Sequence, residues 1–342
     1  MNRLTICAAV ATIFASVVPG VAQISLTGAG ATFPEPIYTK WFQEYRKVRS
    51  DVQINYQGIG SGGGIRGVTE GTVDFGASDG PMSDEQLKAF HDKHGFGVLH
   101  FPTVLGAVVP VYNIPGVSAD LDFTPEALSG IFLGKITKWD DPAIAKANPK
   151  VKLPSADIIV VHRSDASGTT YVWCDYLSKI SDEWKSRVGK STAVNWPVGL
   201  GGSKNEGVAG QVKQSANSIG YVELIYALQN KMTFGRVRNS SGTFLKADLA
   251  SVTAAAAGVE MPDDFRVSVT NASGKSAYPI ASFTWLLIPE QIEDKQKLAV
   301  ITGFLKWMLG PGQKLTSALE YAPLPKPVVA KEEKAIAKVH GK

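Results

Sequence analysis

The chain has 342 residues, with Lys+Arg 35 against Asp+Glu 31, a formal net charge of +4, and 44% hydrophobic and 19% charged residues. This is a globular composition long enough for two domains, and it excludes a disordered chain, a coiled coil and a disulfide-stapled miniprotein. A charge so close to neutral also argues against nucleic acid as the main partner, because a phosphate backbone demands a concentrated basic face.

In chain order, the first element is a leader. Arg3 precedes an apolar run from Leu4 to Val18, Pro19-Gly20 breaks it, and Gly20 and Ala22 supply small residues at −3 and −1. The pattern predicts a secretory signal over residues 1–22, cleaved after Ala22. A transmembrane anchor would need about 20 apolar residues with retaining flanks. A lipoprotein signal is disfavoured by the bulky Ile6 before Cys7 and by the minimal basic region. Loss of the leader leaves Cys174 as the only cysteine, so an exported protein would hold together without an internal disulfide. No later segment is long and apolar enough to span a bilayer, which predicts a soluble mature protein outside the cytoplasm.

Strand-like and helix-like segments then alternate. Ile24 to Thr27, Val52 to Gln57 and Thr72 to Ala77 read as strands. Pro34 to Arg46 reads as a helix, with Ile37, Tyr38, Trp41, Phe42 and Tyr45 on one face. Ser83-Asp84-Glu85-Gln86 is a capping-box pattern that opens a helix reaching about His94. Phe101 to Asn113 is a Val-rich run without helical period, a buried strand. Strands at Asp157–Val161, Ser218–Val222 and Ser282–Ile288, and helices at Ser167–Lys179 and Asp294–Leu309, complete the pattern. Thr233 to Gly274 is weakly patterned around an Ala-rich helix over Leu245–Gly258, and Lys326 to Lys342 reads as a solvated amphipathic helix. Repeated β–α alternation predicts an α/β fold.

Three glycine-marked loops lie where strands give way to helices: Gly28-Ala-Gly-Ala-Thr32-Phe33, Gly58-Ile-Gly-Ser61-Gly-Gly-Gly64, and Arg163-Ser-Asp165-Ala-Ser167-Gly168-Thr169-Thr170. A helix N-terminus offers free N–H groups and partial positive charge, hydroxyls add donors, and glycine lets backbone approach a ligand. Each loop alone is explained by ordinary capping. Three together point to one oxyanion. The second loop also fits G-x-G-x-x-G through Gly58, Gly60 and Gly63, with Asp79 where a ribose-binding acid would sit. Against that reading stand the exported address and a following helix of barely two turns. Gly76-Ala-Ser-Asp-Gly80 fits a nucleophile-elbow pattern, but Pro81 and the Ser83 cap delay the helix the elbow requires. His91 and His94 at i, i+3 lack further ligands and read as surface residues, so no metal is expected. Cys174 reads as a buried thiol.

Asp79 is the sharpest single residue. At the end of a strand it reaches the rim shared by the loops, where a carboxylate repels an anion unless that anion donates a proton. Protonated phosphate does so and sulfate does not, so an acceptor among donors selects phosphate by penalising sulfate. The alternative is that Asp79 caps the turn at Gly80-Pro81. Arg163 would supply a charge-assisted contact; Asp165 either orients its guanidinium or caps the Ser167 helix.

Taken together, Thr27-Gly-Ala-Gly-Ala-Thr-Phe-Pro34, Asn55-Tyr-Gln-Gly-Ile-Gly-Ser61, Val73-Asp-Phe-Gly-Ala-Ser-Asp79, Arg163-x-Asp165 with Gly168-Thr169, Leu133-Gly-Lys-Ile-Thr-Lys-Trp-Asp-Asp141 and Trp196-Pro-Val-Gly-Leu-Gly-Gly202 resemble the phosphate-binding proteins of bacterial Pst-type ABC transporters. The resemblance runs from about Ile24 to Pro323. It implies a type II-like periplasmic binding protein with two α/β lobes, residues 23–105 with 280–342 and residues 106–279, joined by hinge strands near Phe101–Val111 and Pro279–Leu287. It also implies phosphate contacts at Thr32, Phe33, Ser61, Asp79, Arg163, Ser167, Gly168 and Thr169, with Asp165 pairing the arginine. Gly62 and Ala166 replace a Ser and a Gly common in the family, and Thr233 to Gly274 matches poorly. The implied protein is a periplasmic monomer without cofactor or catalysis that closes on inorganic phosphate and docks on a membrane permease. A secreted phosphatase built on the same cradle is the competing expectation.

Overall fold

The computed structural model describes residues 23–342; the leader expected over 1–22 lies outside the described residues. The strands are β1 (Ile24–Gly30), β2 (Val52–Gly58), β3 (Phe75–Ser78), β4 (Val98–Asn113), β5 (Asp122–Phe123), β6 (Ile159–Arg163), β7 (Leu200–Gly202), β8 (Ser218–Glu223), β9 (Thr233–Phe234), β10 (Arg236–Arg238), β11 (Phe244–Leu245) and β12 (Ala281–Pro289). The helices are α1 (Glu35–Val48), α2 (Ser61–Glu70), α3 (Asp84–His94), α4 (Pro125–Phe132), α5 (Pro142–Ala145), α6 (Gly168–Ile180), α7 (Asp182–Arg187), α8 (Lys204–Gln214), α9 (Leu224–Gln229), α10 (Leu249–Ala256), α11 (Lys295–Leu309) and α12 (Lys326–Ala335).

Nine strands form one mixed sheet in the order β2-β1-β3-β12-β4-β8-β6-β7, with β9 beside β4, while β5, β10 and β11 make a small separate sheet. The long β4 carries the architecture. Its residues Val98–Ala107 pair antiparallel with β12, and Val108–Asn113 pair antiparallel with β8. On one side of that handover β1 runs parallel to β2 and β3; on the other, β6 runs parallel to β7 and β8. The Val-rich run makes this possible, because a strand covered on both faces must be apolar throughout, and β4 is buried from His100 to Tyr112. β12, which pairs antiparallel with both β3 and β4, shifts register between Thr284 and Trp285.

The helices follow their expected faces. In α1, Ile37, Tyr38, Trp41, Phe42 and Tyr45 are the buried residues. The Ser83–Gln86 capping box opens α3 as the spacing predicts. Three expectations are corrected. The Ala-rich helix is only Leu249–Ala256, because Asp248 and Ser251 cap each other there and Phe244–Leu245 pair with β10. The helix after the second loop is Ser61–Glu70, longer than two turns. The C-terminal segment is not a solvated helix: Val328, Glu332, Ala335, Ile336 and Val339 are buried, so one face of α12 and the turn after it close over the core. Among the described residues no helix is long and apolar enough to cross a membrane.

Candidate functional site

All three loops leave the C-terminal ends of parallel strands, the position where ligands bind in open α/β sheets. β1 delivers Thr32 and Phe33, β2 delivers Ser61, β3 delivers Asp79, and β6 delivers Arg163 and the start of α6. The loops meet across the β4 handover. Gly62 N–H donates to the Ala166 carbonyl at 2.9 Å, and the Tyr226 hydroxyl on α9 donates to the Thr32 carbonyl at 2.6 Å. Gly60 has φ +86°, and a Cβ there would stand 2.6 Å from Asp165 Oδ2, so only glycine lets the second loop lie against the third. Gly168 is equally constrained: a Cβ would overlap both Asp79 Oδ2 and Ser61 Oγ.

The hydroxyls share one arrangement, in which every oxygen accepts an N–H. Ser61 Oγ accepts from Asp79 N–H at 3.1 Å, and Ser167 Oγ accepts from Thr170 N–H at 3.1 Å as the N-cap of α6. Thr169 Oγ1 accepts from Arg163 Nη1 at 3.2 Å. Thr32 Oγ1 accepts from Asn205 Nδ2 at 2.8 Å. Among the described residues the hydroxyls of Thr32, Ser167 and Thr169 do not donate their own hydrogens to a protein acceptor, and the backbone N–H groups of Phe33, Gly168 and Thr169 have no protein partner. Thr32, Phe33, Ser61, Ser167 and Thr169 are all buried. The result is a desolvated cluster of donors.

Arg163 is held from one side. Its Nε and Nη2 donate to the two oxygens of Asp165 at 2.8 and 2.5 Å, and its side chain is 1% exposed. A guanidinium has five N–H donors; three are used here, and two remain. Burial raises the Asp165 carboxyl, but the bonds from Arg163 outweigh it and hold the group below its ordinary value. Asp165 Oδ1 also accepts Lys204 N–H at 2.9 Å. Since Ser167 caps α6, the alternative role of Asp165 as that cap is removed.

Asp79 is the acceptor. It is 1% exposed; Oδ1 accepts from Thr284 Oγ1 at 2.8 Å, and Oδ2 has no hydrogen-bond partner among the described residues. Burial pushes its carboxyl up to about 7, against the opposing pull of Thr284, the Arg163 charge and the neighbouring Ser61 hydroxyl. The turn after β3 is closed by Ser78, whose Oγ accepts Gly80 N–H at 3.2 Å, so Asp79 is not the turn cap.

Two residues that shape this cluster were not visible in sequence. Asn205, at the start of α8, is fully buried and bonds both Thr32 and Thr169, the latter at 3.3 Å. Thr284 sits inside the apolar run of β12 and gives no local cue. The remaining motif residues fall away from the cluster. His91 is exposed, and His94 bonds the Thr69 carbonyl at 2.8 Å. Among the described residues no group of His, Cys, Asp and Glu is arranged to hold a metal. Cys174 is buried, and burial drives its thiol well above the ordinary range.

The chain is also similar to proteins that are already known. The family described as PBP superfamily domain matches residues 17–311. The phosphate-binding protein PstS of Xylella fastidiosa strain Temecula1 is 44% identical over 314 residues, covering 91% of this chain and 84% of that protein. PstS of Pasteurella multocida is 44% identical, covering 90% and 88%, and PstS of Methanocaldococcus jannaschii 40%, covering 85% and 80%. Among solved structures, a high-affinity periplasmic phosphate-binding protein bound with phosphate superposes with TM-score 0.74 at 20% identity, over 93% of this chain and 99% of that one. At that identity the likeness speaks for the two-lobed α/β fold alone. By the span of the superfamily match and the identity to these relatives, the chain belongs to the PBP superfamily and, within it, to the PstS family.

Proposed function

We propose that this chain is the extracytoplasmic receptor of a phosphate importer: it binds inorganic phosphate between its lobes and hands it to the permease of an ABC transporter. The observation that carries this reading is the unpartnered Asp79 Oδ2, a buried acceptor among hydroxyl and N–H donors. A tetrahedral oxyanion satisfies the donors, and only one bearing a hydrogen also satisfies Asp79, so phosphate fits and sulfate leaves a carboxylate facing a bare oxygen. The proposed contacts are Thr32, Phe33, Ser61, Asp79, Arg163, Ser167, Gly168 and Thr169, with Asp165 holding Arg163.

The lobes are residues 23–105 with 280–342 and residues 106–279, hinged where β4 changes partner and at β12. Phosphate touching loops from both lobes stabilises the closed arrangement, and that closure is what the permease reads. The leader directs the protein out of the cytoplasm, where it acts as a monomer without cofactor or catalysis. The relatives described above, each a phosphate-binding protein by name, support this reading.

Tryptophan-fluorescence or calorimetric titration with phosphate and sulfate, repeated across pH, tests it. Saturable phosphate binding with sulfate weaker by about 10⁴ is expected; equal affinities would remove the role of Asp79. Turnover of an aryl phosphate without phosphate binding would favour a phosphatase instead.

A further inference from the structure

The chemistry of the two threonines depends on a residue that is not itself a ligand in the reading above. A hydroxyl can donate or accept, and nothing in its own geometry decides which. For Ser61 and Ser167 the choice is imposed by backbone N–H groups. For Thr32 the only N–H donor among the described residues is the amide of Asn205, and Thr169 receives that amide together with Arg163.

The orientation of the amide follows from a third bond. Asn205 Oδ1 accepts the backbone N–H of Glu223 at 3.0 Å. A backbone N–H can only donate, so the oxygen must face Glu223 and the nitrogen must face the threonines. The neighbouring Lys204 adopts φ +63°, and its N–H is tied to Asp165 Oδ1 at 2.9 Å. The chain therefore adopts a backbone conformation that non-glycine residues rarely take as it brings Asn205 to this point. Thr32 leaves β1 and Thr169 lies in α6, on opposite sides of the β4 handover, so one amide spans both halves of the crevice.

We propose that Asn205 is a positioning residue that fixes the Thr32 and Thr169 hydroxyls as donors toward the bound anion, and that it does so only when the two halves are together. The Nδ2 hydrogens occupy a lone pair on each hydroxyl oxygen, and Arg163 occupies a second on Thr169. Each hydroxyl hydrogen is then directed away from the protein donors and is available to an oxyanion. An acceptor at position 205 would reverse this, taking both hydrogens for itself. The amide thus couples closure to donor polarity. The inference rests on the oxyanion reading given above.

The test is a calorimetric phosphate titration of the whole protein carrying Asn205→Leu, Asn205→Ala, Thr32→Val, or Thr32→Val with Asn205→Leu, with the ligand-free melting temperature of each recorded alongside. Leucine keeps the branched heavy-atom outline but removes the donor and the acceptor for Glu223 N–H, whereas alanine removes the outline as well. The proposal expects both Asn205 variants to weaken phosphate about 30-fold, as hydrogen bonds to a charged partner lose their orientation. On the Thr32→Val background, where only Thr169 remains to be oriented, Asn205→Leu should cost about fivefold. A packing role predicts leucine close to the parent and alanine much worse. An equal loss on both backgrounds, or leucine binding like the parent, overturns the proposal. Should Asn205→Leu not fold, the Asn205→Ala and Thr32→Val cycle decides the matter by the same comparison. A parent protein that binds no phosphate would instead overturn the function on which the inference rests.

Discussion

Replacing Asp79 by asparagine removes a charge from a buried position in the crevice while keeping the shape and the bond from Thr284. Burial raises the Asp79 carboxyl from its ordinary 3.8 to about 7 in the folded protein. A folded-state value above the unfolded one means that the native protein binds the proton more tightly. Stability is then unaffected below pH 4, falls as pH rises from 4 to 7, and stays lowered above 7. At 1.36 kcal/mol per pH unit the penalty at pH 8 reaches about 4 kcal/mol for the closed, ligand-free molecule. For a chain of this length that corresponds to about 6 °C in melting temperature. Opening of the crevice relieves part of the cost by rehydrating the carboxylate, so these are upper values. Asp79→Asn should therefore melt with the parent at pH 4 and several degrees above it at pH 8, both without phosphate, in scanning calorimetry. The same variant should lose most phosphate affinity, since the amide nitrogen would face the hydrogen-bearing oxygen of the ligand. A melting difference that does not change between pH 4 and 8 would refute the claim that carboxylate burial sets this term.

Three further outcomes follow from other parts of the molecule. Gly168→Ala places a methyl against Asp79 Oδ2 and Ser61 Oγ, so phosphate titration should show affinity reduced at least 100-fold while the far-UV spectrum stays that of the parent. Glu332 is buried, with both carboxylate oxygens unpartnered among the described residues, and burial lifts its carboxyl well above the ordinary value. Its stability cost appears as pH rises, so Glu332→Leu should stabilise the protein by about 2 kcal/mol at pH 8 and by little at pH 4 in urea denaturation. Arg266 ties the segment before β12 to Met82 and Asp84 at 3.1 and 2.7 Å. Arg266→Ala should cost about 1 kcal/mol in the same assay.

How much of this was legible in the chain depends on whether the deciding interaction is local. The strand-to-helix loops announce themselves because glycine, a hydroxyl and a helix start sit within a few residues, and the capping box at Ser83 follows from spacing alone. Asp79 could be singled out because a carboxylate at a strand end among donor loops is anomalous. α12 misled because Glu332 lies on the same face as Val328 and Ala335, and a glutamate within a lysine-rich helix reads as solvated until the core beneath it is seen. In Thr233–Gly274 the Ala-rich composition suggested a longer helix than Asp248 and Ser251 permit.

Asn205 and Thr284 mark the boundary most clearly. Asn205 stands in Lys204-Asn-Glu-Gly, an ordinary polar helix start, and its amide meets Thr32 across 173 positions of chain. Thr284 is one of two hydroxyl residues in an otherwise apolar strand, and its partner Asp79 lies 205 positions away. Local sequence can say that donors are present; it cannot say which way a hydroxyl's hydrogen points, because that is set by whatever N–H the fold brings to its oxygen. The hydrogen-bonding direction of the crevice, and with it the proposed discrimination between a protonated and a bare oxyanion, therefore belongs to the tertiary structure, even though nearly every atom of the proposed contacts belongs to a motif written within a few residues.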